Sequence, residues 1–169
     1  LNMRELEDEG KVMALANYAY PIPDQENQLL EFVRIDGMQV RCRYSTLRMY
    51  DELKKVLWKY PSEQFAYMAQ RTLEVRITEL IRNAVVTTGL QNVALSGGVF
   101  SNIKVNMLIR TLPEVKDCFV FSHMGDGGLA LGAALAMNYE LNGITACSLD
   151  NVFLGPEYSA DELESALKG

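Results

Sequence analysis

Residues 92–102 read NVALSGGVFSN. A short apolar run enters the glycine pair Gly97-Gly98, and the chain leaves through VFSNIKVNMLIRTL, whose apolar spacing is helical. The same grammar returns at once: DCFVFSHMGDGG carries Gly125, Gly127 and Gly128, and LALGAALAMNYELNG follows as a second helix. Strand, turn and helix in succession, twice, predict a parallel α/β sheet. In such a sheet both turns fall at the carboxyl edge of the strands, where helix amino termini offer unpaired N–H groups to a ligand.

Upstream, EDEGKVMALANYAYPIP predicts a helix over 5–19, stopped by Pro21 and Pro23, which lack the amide proton that a helix interior needs. Two β-branched stretches flank Asp36-Gly37, a dipeptide suited to a tight hairpin, and predict strands near 29–35 and 38–43. A helical period runs from Thr46 to Tyr60. Pro61-Ser62 then restarts the chain into its longest helix, with Ser62 as cap, Phe65, Ala69, Thr72 or Leu73, Arg76 or Ile77, Leu80, Ile81 and Ala84 on one face, and Gly89 as stop. The final stretch, LGPEYSADELESALKG, places Glu162 three residues after Ser159, the spacing of a capping box.

The 169 residues suffice for a core, and 49% are apolar. A net charge of −6 argues against general binding to nucleic acid or an anionic membrane. No window approaches the length of apolar sequence that crosses a bilayer, and the acidic opening does not resemble a leader, so the cytosol is the expected compartment. The three cysteines, Cys42, Cys118 and Cys147, are scattered and suggest neither a disulfide framework nor a zinc site. His123 is the single histidine, so a site that needs two cannot be completed by this chain alone.

Both glycine turns allow a phosphate to approach the backbone, although glycine is also the ordinary solution for a tight turn. Neither matches the dinucleotide or P-loop pattern. Asp126, between Gly125 and Gly127, can ligate a metal that bridges phosphates, bond a ribose, or simply cap the helix. Asn102 and Asn106, one helical turn apart, can face the same ligand. The small residues Ala130, Gly132, Ala133 and Ala134 suit close helix packing, and His123 reads as a turn residue. Arg4 and Lys11 read as partners of neighbouring glutamates, and Arg41, Arg43 and Arg48 as a solvated face. No nucleophile is placed beside a base.

Four ordered stretches, EGKVMALANYA, ALSGGVFSNIKVN, MGDGGLALGAALA and FLGPEYSADELESAL, resemble the NodU/CmcH carbamoyltransferase family from about Glu9 to Leu167. The resemblance implies an actin-like ATPase fold, related to ribonuclease H, in which two α/β lobes enclose a nucleotide. It implies that residues 1–150 are the second lobe, with a mixed or parallel sheet flanked by helices, and that 151–169 open a linker to a carbamoyl-adenylate-forming C-terminal domain. Gly97, Gly98 and Asn102 match the family's G-G-V-x-x-N turn beside the nucleotide, and Asn106 matches a second asparagine common there. Gly125, Gly127 and Gly128 match the second nucleotide turn. Asp126 matches a metal-ligating aspartate whose companion histidines lie in the first lobe. Met124 stands where a proline is usual, and Ala19 where a glycine is usual.

The implied cofactors are ATP and a divalent metal, iron or magnesium. The implied partners are carbamoyl phosphate, a hydroxyl-bearing small molecule, and the first lobe and C-terminal domain of the same parent, with association of two copies through the face the first lobe would cover as a further outcome. Such an enzyme passes a carbamoyl group from carbamoyl phosphate through carbamoyl-adenylate to the hydroxyl, and this chain alone would be inactive. Two other readings share the fold. One is a tRNA threonylcarbamoyl-adenosine transferase, disfavoured because its turn is usually T-D-N-G. The other is a non-catalytic nucleotide-binding module.

Overall fold

The computed structural model describes residues 1, 3–4, 7–144, 151 and 155–168. They form two compact units, Leu1–Gly128 and Leu129–Gly169. The expected domain border at 150 falls beside 145–150 and 152–154, which lie outside the described residues, as does Cys147.

The first unit is mixed α/β with two small sheets instead of one. Helix α1 spans Glu9–Leu15 and tightens into a 3₁₀ turn at Ala16–Tyr18. It is shorter than the predicted 5–19, of which 5 and 6 lie outside the described residues. Strands β1 (Val33–Asp36) and β2 (Gln39–Cys42) pair antiparallel, with Asp36 opposite Gln39. The two loop residues are therefore Gly37 and Met38, one position beyond the Asp36-Gly37 turn expected. The predicted strand start at 29 is also corrected: Gln28–Glu31 is a 3₁₀ turn, because the Asn27 side chain accepts from the Leu29 amide (3.1 Å) and curls the backbone. Asn27 is buried, and its amide donates to the Met68 carbonyl (3.0 Å) and the Thr72 hydroxyl (3.2 Å), so its polar atoms are matched rather than orphaned.

Helix α2 runs Thr46–Leu57, ending before the expected Tyr60, and α3 runs Ser62–Thr88. Ser62 does not cap α3; Pro61 occupies that position, without a side-chain bond. Nor does α3 bury a single face. Its first half sends Met68 into a core with Leu29, Phe32 and Val56, whereas its second half sends Ile81 and Val85 into another core with Leu95, Val105, Ile109, Leu112, Val115 and Cys118. One long helix thus serves two cores on different sides, which blurs the stripe that period counting assumes. Met68, Val105 and Ile109 are the largest fully buried side chains.

The second core supports the predicted strand-turn-helix unit. Strand β3 (Asn92–Leu95) leads through a 3₁₀ turn at Gly98–Ser101 into α4 (Ile103–Arg110), and the chain returns as β4 (Asp117–Val120). The two strands pair parallel, Asn92 opposite Asp117 through Leu95 opposite Val120. Parallel pairing puts both of their carboxyl ends at one edge, and a second 3₁₀ turn, Asp126–Gly128, follows β4.

In the second unit, α5 spans Leu129–Asn142 and α6 spans Ala160–Lys168. Ala130, Gly132, Ala133 and Ala134 lie along α5 and are exposed. At α6 the capping box forms as read: the Glu162 amide donates to the Ser159 hydroxyl (3.3 Å), and the Ser159 amide donates to the Glu162 carboxylate (2.8 Å). That backbone bond holds the Glu162 carboxyl below its usual range. Among the described residues no helix is long and apolar enough to cross a membrane.

Candidate functional site

The turn after β3 is shaped by its backbone. Gly97 sits at φ +111°, ψ 154°, a region that residues with a Cβ avoid. Asn102 then caps α4, accepting the Val105 amide on Oδ1 (3.2 Å), an arrangement that contributes about 1 kcal/mol. Asn106 donates from Nδ2 to the Phe100 carbonyl at 2.7 Å and so ties the helix back onto the 3₁₀ turn. Its Oδ1 is buried without a hydrogen-bond partner among the described residues.

The turn after β4 is shaped by close approach. A Cβ at Gly128 would stand 2.2 Å from the backbone oxygen of His123, so no side chain fits there unless the turn moves. At Gly127 the obstacle is the His123 ring, which can rotate away. His123 itself is exposed, as a turn residue. Asp126 is exposed too, and its carboxylate makes no hydrogen bond or ion pair among the described residues.

One bond joins the two turns: the Gly97 N–H donates to the Met124 carbonyl at 2.7 Å. The glycine-bearing segments that sequence spacing placed at a common edge are therefore in contact. The bond commits the Gly97 amide, while the space next to its α-carbon, and next to those of Gly98 and Gly125, stays open to beyond 4 Å. A ligand can reach the backbone at these three positions where a side chain would block it. Asn17 of the α1 segment is brought to the same region, where its side-chain oxygen accepts from Lys104 of α4.

Behind the first turn lies a residue that the sequence reading missed. Gln70 of α3 is 6% exposed and pairs reciprocally with Asn102: Gln70 Nε2 donates to Asn102 Oδ1 (3.2 Å), and Asn102 Nδ2 donates to Gln70 Oε1 (2.7 Å). Gln70 Nε2 also donates to Glu74 (2.9 Å), and Arg71 beside it holds Asp24 through paired bonds of 2.8 and 2.9 Å. The Arg71 guanidinium keeps the Asp24 carboxyl below its usual range, and that carboxylate in turn raises Arg71. A signal for Gln70 was available, since Ala66, Gln70, Leu73, Ile77, Ile81 and Val85 form a stripe in which it is the single polar member.

The remaining candidates serve the surface. Arg43 pairs with Glu31 (2.6 Å), Arg41 faces Asp36 (3.7 Å), and Arg48 lies near Glu52 (4.0 Å), with Arg43 and Arg48 both over the Tyr44 ring. Arg4 pairs with Glu7 and Lys11 with Asp8. Cys42 and Cys118 are free thiols, the latter buried and raised in pKa by that burial. No three His, Cys, Asp or Glu side chains cluster as a metal site among the described residues. Asp126 offers one uncommitted carboxylate at this edge, and among the described residues it has no cluster of donors that would hold an ion with it.

The chain is 31% identical over 168 residues to the uncharacterized protein MJ1058 of Methanocaldococcus jannaschii, covering 95% of this chain and 28% of that protein. It is 30% identical over 161 residues to the nodulation protein NolNO of Sinorhizobium fredii, covering 91% of this chain and 24% of the relative. It is likewise 30% identical over 167 residues to the nodulation protein NolO of Bradyrhizobium diazoefficiens, covering 93% and 30%. The chain thus spans about a quarter to a third of the curated relatives it matches. The pattern that describes the carbamoyltransferase N-terminus matches residues 3–135, a span that includes α1, both glycine turns and the start of α5, and the chain belongs to that family.

Proposed function

We propose that this chain forms one wall of the nucleotide site of an ATP-dependent O-carbamoyltransferase, within a lobe of the actin-like ATPase fold. The observation that carries the reading is the Gly97 to Met124 bond, which brings both glycine turns to one edge of the β3–β4 pair. Open space at Gly97, Gly98 and Gly125 supports close approach of phosphate oxygens to the backbone. The unpartnered Oδ1 of Asn106 supports an acceptor role toward an N–H or hydroxyl of the nucleotide. Family membership supports carbamoyl transfer as the chemistry.

In this reading water releases carbamate and phosphate from carbamoyl phosphate, carbamate displaces pyrophosphate from ATP to give carbamoyl-adenylate, and an acceptor hydroxyl attacks its carbamoyl carbon. The acceptor oxygen–carbon bond forms as the bond between the carbamoyl carbon and the adenylate phosphate oxygen breaks; AMP leaves with the electron pair and the hydroxyl proton passes to solvent. In this reading the departing phosphate lies against the open backbone at Gly98 and Gly125, whose orientation is set before the reaction begins. Asp126 is proposed as one ligand of a divalent metal, iron or magnesium, whose other ligands lie outside the described residues. Gly127 and Gly128 place that carboxylate, and Asn102 sets the first turn.

The experiment is ATP binding and carbamoyl transfer by the intact protein, compared with Asp126→Ala. Binding of ATP with divalent metal, together with a fall in transfer of more than about tenfold in the variant, is expected. Unchanged transfer in Asp126→Ala would remove its metal role. A folded protein that binds ATP yet consumes neither ATP nor carbamoyl phosphate would favour a non-catalytic module.

A further inference from the structure

The reciprocal amide pair between Gln70 and Asn102 has a fixed sense, and the reason lies at its two ends. At one end the Glu74 carboxylate only accepts, so the group of Gln70 facing it is Nε2 (2.9 Å) and Oε1 is left for Asn102. At the other end the Val105 backbone N–H only donates, so the group of Asn102 facing it is Oδ1 (3.2 Å). Two amides that each have a twofold choice of orientation are thereby locked into one. In that orientation Asn102 Nδ2 spends one hydrogen on Gln70 Oε1 (2.7 Å), and its second has no acceptor among the described residues.

We propose that Gln70 is a positioning residue for nucleotide binding: it holds the Asn102 amide so that its free N–H is offered to an acceptor oxygen of the nucleotide. The assignment rests on the nucleotide reading given above. Packing alone does not ask for glutamine at this position. Its neighbours on the stripe, Ala66, Leu73, Ile77 and Ile81, are apolar, and a leucine would continue them. Glutamine here costs desolvation, which the bonds to Glu74 and Asn102 offset, and it orients a side chain on another element, 32 residues along the chain.

The test compares the wild-type intact protein with Gln70→Leu and Glu74→Gln. Calorimetry gives the ATP dissociation constant, steady-state transfer gives the acceptor KM, and the thermal midpoint reports stability. In Gln70→Leu the ATP constant is expected to rise about tenfold, the equivalent of one hydrogen bond to a charged group, with the acceptor KM unchanged. Glu74→Gln, which keeps shape but no longer dictates the amide sense, is expected to weaken ATP by about threefold with little change in midpoint. If Gln70→Leu does not fold, Glu74→Gln decides the matter. Wild-type ATP affinity in a folded variant overturns the assignment and leaves the functional reading in place. So do ATP and acceptor constants that rise together with a falling midpoint, because loss of packing alone has that effect. A wild-type protein that binds no ATP overturns both.

Discussion

The two glycine turns occupy equivalent places, each leaving a parallel strand, yet they are stabilised in different ways. The turn at 95–102 is locked from behind: Asn102, Gln70 and Asn106 spend nearly all of their polar atoms on one another and on the backbone. The turn at 121–128 is locked by contact, with Gly128 pressed against the His123 carbonyl, and its one charged group makes no bond among the described residues. The difference teaches a division of labour. The first turn is held by side-chain amides packed behind it, while the carboxylate of the second makes no bond among the described residues, and in the proposed reading that charge is the one kept for a metal.

Perturbing the first turn should therefore cost stability, and perturbing the charge of the second should not. The largest effect is expected from Asn102→Ala, which removes the α4 cap and leaves the buried Gln70 amide without its partner; urea unfolding should show a loss of about 2–4 kcal/mol. A loss no greater than that of an ordinary surface substitution would break the comparison.

Gly97→Ala comes next, at about 1–3 kcal/mol, because alanine must adopt φ +111°. Gly98→Ala is its control. The backbone there is not in the left-handed region and space is open, so stability should hold while ATP affinity falls as the methyl enters the cradle.

Smaller still is the Asp24–Arg71 pair behind the first turn, worth up to about 1 kcal/mol for so exposed a pair. Because the folded carboxyl is held below its usual value, this contribution is full above the unfolded pKa of about 3.9 and fades as pH falls through the folded value. The stability gap between wild type and Asp24→Asn should accordingly close in acid, below about pH 4. A gap that persists once the folded carboxyl is protonated would assign it to packing. The smallest stability effect belongs to Asp126→Ala, expected within about 0.5 kcal/mol of wild type, even though transfer should suffer most there. Destabilisation by that variant would show Asp126 to be a structural cap.

The β3-turn-α4-β4 order and the Ser159–Glu162 capping box were legible because each depends on residues close in sequence and on rules of local geometry. Membership of the carbamoyltransferase family was legible from the order of short motifs. Less legible was the start of β1, where Asn27 turns the backbone only because its amide is held by Met68 and Thr72, 41 and 45 residues away. The buried faces of α3 escaped as well, since period counting presumes one core and the helix touches two.

The sequence by itself determined the strand-turn-helix order from Asn92 to Val120, the long helix before it, the hairpin's place and the two asparagines at the glycine edge. Those properties follow from backbone sterics and apolar period within a few residues. Only the tertiary structure decided that Gly97 bonds Met124, that Asn102 is clasped by Gln70, and that Asp126 is left uncommitted. Hydrogen-bond partners far apart in sequence are chosen by whichever groups burial brings together, and composition and spacing do not encode that choice locally.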